Sequence, residues 1–170
     1  SHPAAEAAAS VDIMFGFSAV SADMERRAGS RIPYYVVTGY LGDHRFAALR
    51  AEAQHVRQHL HQRGVKHILA YSDENSHADE RWSFGHGMTR ENYAFLLERV
   101  LEEPWLAVLM KPKVPSTLRQ RLGPVAELLE QAEATGRCLV YEGGALHGSC
   151  PPAAAALAAD VMVHGHLCAA

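Results

Sequence analysis

Cysteine is scarce in this chain, with only three in 170 residues, at positions 138, 150 and 168. Their odd number and wide spacing include no C-x-x-C pair, which removes the basis for a disulfide framework, a zinc ribbon or a dithiol redox centre. They read as buried or bystander thiols. Long apolar runs are missing as well: no stretch approaches the ~20 residues that cross a bilayer, and the Ala-rich start has neither the basic flank nor the apolar centre of a signal peptide. No membrane span is expected, and the location is read as cytoplasmic. Charge of neither sign dominates, since 16 Lys and Arg stand against 19 Asp and Glu for a net charge of −3, so nucleic acid is not the expected partner. Histidine is plentiful, with 11 residues. They are scattered, with no H-E-x-x-H or comparable ligand spacing, so no metal and no other cofactor is expected.

What is present is ordinary for a globular protein: 48% hydrophobic residues, 21% charged residues and a mean hydropathy of −0.12. The length suits one domain with a sizeable core. Residues 1–32 read as a poorly ordered start and a linker, with one possible strand in the apolar stretch Val11 to Val20. The polar, Gly-containing stretch Ser21 to Arg31 is read as the linker.

From Pro33 onward the pattern is regular. Tyr34-Tyr35-Val36-Val37-Thr38 is a β-branched and aromatic run ending at Gly39, as expected of a buried strand. Phe46, Leu49, Ala53, Val56 and Leu60 recur at helical spacing and stop at Gly64. Further strands are predicted at His67–Tyr71, Trp105–Met110, Cys138–Tyr141 and Asp160–Val163. Between them, Thr89 to Leu101 and Leu118 to Ala134 read as helices, and a short Ala-rich helix follows Pro151-Pro152. Alternating strands and helices on short connections predict an α/β fold. Residues 33–170 are expected to form a Rossmann-like parallel sheet flanked by helices on both faces and incomplete at the C-terminal end.

Ligands of open parallel sheets bind beyond the carboxyl ends of the strands, so the residues that follow each strand are the candidates. Gly39 and Tyr40 open a turn that admits a ligand close to the backbone, though a plain strand-to-helix turn also favours glycine. Lys111 and Lys113 flank Pro112 and, in extended geometry, point the same way; two ammonium groups on one face suit a diphosphate, or else a solvated basic edge. Glu142 can accept hydrogen bonds from sugar hydroxyls, with Gly143 leaving room, unless it is only a surface turn. His164, Gly165 and His166 follow the last strand and can face a phosphate. Asp73-Glu74-Asn75 is open to a general-base or metal role, but such residues are also common in caps and solvated turns.

With these residues assembled, the segment from Tyr34-Tyr35-Val36-Val37-Thr38-Gly39-Tyr40 through Lys111-Pro112-Lys113 to Ala159-Asp160-Val161-Met162-Val163 resembles the C-terminal half of bacterial polysaccharide-biosynthesis glycosyltransferases. It looks like the donor-binding lobe of a GT-B fold, similar in layout to CDP-glycerol glycerophosphotransferases. The resemblance implies that Lys111 and Lys113 match a basic cluster near phosphate, and that His164 to His166 match a diphosphate-binding turn. It also implies a nucleotide-sugar donor as partner and a missing N-terminal lobe carrying the catalytic base, so no catalytic residue is named and the isolated chain is expected to be inactive. The turn departs from the pattern in lacking a serine or threonine.

Two other readings remain open from the residues: a sugar-nucleotide epimerase or hydrolase lobe, which needs the same grip on its ligand, and a non-catalytic α/β binding module. A histidine-rich metalloprotein would need three of His44, His77, His86, His147, His164 and His166 to converge. Apolar surface left open by a missing lobe would favour a homodimer.

Overall fold

In the computed structural model, residues 8–39, 43–79, 81, 85–141 and 152–164 are described. They separate into two compact units, Ser1–Phe46 and Ala47–Ala170.

In the first unit, strand β1 (Ile13–Gly16), helix α1 (Ala19–Arg27) and strand β2 (Tyr34–Val37) make one βαβ turn, with the strands parallel and Ile13 opposite Tyr34. The stretch expected as a linker is therefore largely helical. The Ser18 hydroxyl accepts the Ser21 N–H at 3.2 Å and caps the helix start. Ala-Asp-Met-Glu-Arg-Arg then continues it with good helix formers that hydropathy alone reads as polar loop. The strand expected to open the main sheet pairs instead with β1 in a separate two-stranded sheet.

The second unit holds nearly all of α2 (Phe46–Gln62), followed by β3 (His67–Ser72), α3 (His86–Glu102) and β4 (Leu106–Lys111). After a 3-10 turn at Pro115–Thr117 come α4 (Leu118–Leu122), α5 (Val125–Ala134), β5 (Cys138–Val140), α6 (Pro152–Ala158) and β6 (Val161–His164). Helix α2 closes on Gly64, whose φ of +87° a side chain would strain; the Val65 N–H reaches back to the Leu60 carbonyl at 3.2 Å. The single helix expected over Leu118 to Ala134 is broken, because Gly123 takes φ +54° and Pro124 has no N–H to continue the ladder.

All pairings in the four-stranded sheet are parallel and its order is β5-β4-β3-β6, as expected of a Rossmann-like α/β fold. Alternation along the strands divides the core. Tyr71, Val108, Met110 and Cys138 face Tyr93, Leu97 and Val100 of α3, Leu122 of α4 and Leu129 and Ala132 of α5. Each such large apolar side chain contributes roughly 1.5–3 kcal/mol by leaving water. The intervening residues Ile68, Ala70, Ala107 and Leu109 are also buried. Helix α6 packs on β3 and β4 through Ala153, Ala154, Ala155 and Ala158, small side chains that let it lie close to the sheet.

Chain order sets where a ligand is expected. From β3 the connections run outward to β4 and β5, then α6 carries the chain back to the other side of β3, where β6 pairs. The order reverses between β3 and β6, and in open parallel sheets ligands bind at the carboxyl ends beside such a reversal.

Candidate functional site at the carboxyl edge of the sheet

Register brings two of the expected residues together. Ser72, the last residue of β3, pairs with Lys111 at the end of β4 on one side and with His164 at the end of β6 on the other. Neighbouring strands lie about 4.8 Å apart, and register partners in a parallel sheet project to the same face. Lys111 and His164 thus flank Ser72 on the face that carries Ala70 and Leu109. Lys111 is buried and His164 half-buried.

Lys113 has a different environment. Its side chain is 59% exposed, and its Nζ donates to Glu74 Oε2 at 2.9 Å. The two lysines differ because Pro112 ends the strand and the chain bends at Lys113. The turn is held from behind by Asp73, whose Oδ1 accepts the Lys113 backbone N–H at 2.5 Å.

Asp73 belongs to a buried polar cluster on the opposite face. The Tyr93 hydroxyl donates to Asp73 Oδ2 at 3.1 Å and Arg121 Nη2 donates to the same oxygen at 3.3 Å. This ion pair is nearly inaccessible, with 6% and 1% of the side chains exposed. Arg121 also donates to Ser76 Oγ at 3.1 Å, Thr117 Oγ1 at 3.2 Å and the Val114 carbonyl at 3.3 Å. Ser76 Oγ lies 2.8 Å from His86 Nδ1, at the start of α3. One guanidinium therefore joins the loop after β3 to the loop after β4, its several N–H donors spread over Asp73, Ser76, Thr117 and the Val114 carbonyl.

Burial pushes the Asp73 carboxyl above its ordinary value, opposed by the Lys113 N–H, the Arg121 charge and the Tyr93 hydroxyl. Burial and the neighbouring Asp73 charge push Tyr93 strongly upward, so its phenol remains a proton donor. Tyr71, edge-on to Tyr93 at 5.3 Å, is raised chiefly by burial too.

Beside this cluster a cleft of about 420 Å³ is lined by Pro115, Ser116, Leu118, Arg119, Leu129 and Val140. Only Val114 separates Pro115 and Ser116 of this lining from the Lys111–Lys113 turn.

Of the remaining expected residues, Gly39 has φ +69° and belongs to the first unit, whereas Lys111 and His164 belong to the second. Tyr40, Glu142, Gly143, Gly165 and His166 lie outside the described residues. Among the described residues no group of three or more His, Cys, Asp or Glu side chains that could hold a metal ion is assembled; His147 is likewise outside them. No described helix is long and apolar enough to cross a membrane.

Arg121, Ser76 and Tyr93 were not indicated as site residues by the sequence, and His86 entered only as one of six histidines from which a metal would need three to converge. Tyr93 has a core position in the α3 stripe, and Arg121 stands two residues from Arg119 in Leu-Arg-Gln-Arg-Leu with nothing to mark it as the buried one. Set against protein-family models, curated proteins and solved structures, the chain finds no match in any of the three.

Proposed function

We propose that the carboxyl edge of the β5-β4-β3-β6 sheet binds the diphosphate of a nucleotide-activated sugar, as the donor-binding lobe of a polysaccharide-biosynthesis glycosyltransferase. One observation carries this reading: Lys111 and His164 stand in register on either side of Ser72, where the strand order reverses. An ammonium group and an imidazole flanking a hydroxyl at a switch point suit an anion. The cleft on the other face of the same sheet, lined by Pro115, Leu118, Leu129 and Val140 together with the polar Ser116 and Arg119, has the size of a nucleoside subsite.

The chemistry asked of these groups is electrostatic. They would hold the leaving diphosphate and neutralise the charge that develops on it as the glycosidic bond breaks, without a covalent intermediate on this lobe.

Calorimetric titration with UDP, CDP and GDP at low salt tests the proposal, on the wild type, on Lys111→Ala/Lys113→Ala and on His164→Ala, each first checked for a native melting transition. One nucleotide should bind the wild type, and each folded variant should bind it at least tenfold more weakly. Equal binding by the variants, or no binding of any nucleotide, would overturn the reading.

A further inference from the structure

Resting on that reading, we infer that His86 is a further ligand-binding residue at this edge, a hydrogen-bond donor to an anionic ligand oxygen whose tautomer is set by Ser76 and the buried Arg121. Arginine can only donate, so in its contact with Arg121 Nη1 the Ser76 oxygen is an acceptor. Among the described residues the Ser76 hydroxyl has one other hydrogen-bonding neighbour, His86 Nδ1 at 2.8 Å. Ser76 is buried, so its own proton has to be used within the protein. It goes to Nδ1, and the neutral imidazole then carries its proton on Nε2.

That Nε2–H has no acceptor among the described residues, and the ring is half-buried at the first residue of α3, held by Ser76 in the loop that follows β3. The arrangement supplies a fixed donor at low entropic cost, because the loop residue that orients the ring is itself held by Arg121, which Asp73 and the Val114 carbonyl hold in turn. Asp73 also grips the Lys113 amide. One buried network thus orients the His86 ring and the lysine turn together. Ser76 and Arg121 act as positioning residues, and only His86 would touch the ligand.

Side-chain nitrogen resonances of the full chain, recorded with and without inorganic pyrophosphate, test the inference; His86→Gln assigns the His86 signal among the 11 histidines. Nδ1 should be unprotonated and Nε2 protonated in the free protein, and pyrophosphate should shift the Nε2 resonance. Ser76→Ala, which leaves the Asp73–Arg121 pair in place, should remove the tautomer preference and weaken pyrophosphate binding by about 5-fold, the loss expected of one misdirected hydrogen bond. A purely structural Ser76–His86 bond would leave the affinity and the ligand-induced shift unchanged, as would a His86 that faces away from the ligand, and either result overturns the inference alone. A wild type that binds neither pyrophosphate nor any nucleotide overturns the proposed function, and with it the ligand assigned to His86.

Discussion

Asp73 accepts the backbone N–H of Lys113 at 2.5 Å while its other oxygen is shared by Tyr93 and Arg121. A residue at the end of one strand thus holds the turn after the next, and the basic turn takes its shape from an acid buried behind it. Replacing Asp73 with Ala removes these acceptors and leaves the Arg121 charge buried without its partner, a change that should destabilise the fold by about 3–5 kcal/mol in urea denaturation.

The same carboxylate should give stability a pH signature. Its folded pKa is raised above 3.8 by burial, so the folded state takes up this proton more readily than the unfolded chain does. The burial penalty on the charge is absent below the unfolded pKa, grows as pH rises from there through the folded pKa, and is full above both. Stability measured across that window should therefore fall with rising pH more steeply in the wild type than in Asp73→Asn. Parallel curves for the two proteins would show that Asp73 titrates alike in both states.

Tyr93→Phe removes one hydroxyl and keeps the ring edge-on to Tyr71. The cost should be about 1 kcal/mol, the net worth of one buried hydrogen bond to a carboxylate that keeps other donors. A loss of several kcal/mol would indicate that ring packing had failed too.

Asp160 has the opposite linkage. It accepts the Ile68 N–H at 2.8 Å and pairs with Arg57 at 2.7 Å. Partial burial pushes its pKa up, but the hydrogen bonds from Arg57 and Ile68 and the Arg57 charge outweigh that and hold it below 3.8. Its contribution is present above the unfolded pKa and lost as pH falls through the folded one. Asp160→Ala should cost about 1–2 kcal/mol at pH 7 in thermal or urea unfolding, with the difference from wild type shrinking in acid.

Cys138 is buried in the core on β5, and burial, with a smaller push from Glu133, raises its thiol to about 12. At pH 8 almost none of it is thiolate. Alkylation mapped by mass spectrometry should leave Cys138 unmodified in the native protein and label it fully in denaturant; labelling under native conditions would contradict the burial.

Strong local patterns carried well from sequence to structure. His67–Tyr71 and Trp105–Met110 were legible as strands because continuous apolar runs between turn signals admit few other structures, and Gly64 marked the end of α2 through the left-handed conformation that glycine tolerates. Pairing did not carry over: nothing in Tyr34–Val37 states whether its partner is Ile13–Gly16 or the main sheet, since a β-branched run fits either. Gly123-Pro124 held a clear breaking signal that the periodicity of Leu118, Leu122 and Leu129 obscured. At the site, Lys111 and His164 were legible because they follow strands. Arg121 and Ser76 were not, because their importance lies in burial, and burial of a charged residue comes from neighbours distant in sequence.

The register of β6 against β3 holds a last consequence. Alternate residues of a strand face opposite sides, so sliding β6 by one position would carry His164 away from Ser72 while the strand kept its hydrogen bonds. Over the divergence of related chains, insertions or deletions should be tolerated in the surface connections but rare between Val161 and His164. Where one did occur there, the chain would still fold yet lose the Lys111–Ser72–His164 alignment on which the proposed anion binding rests.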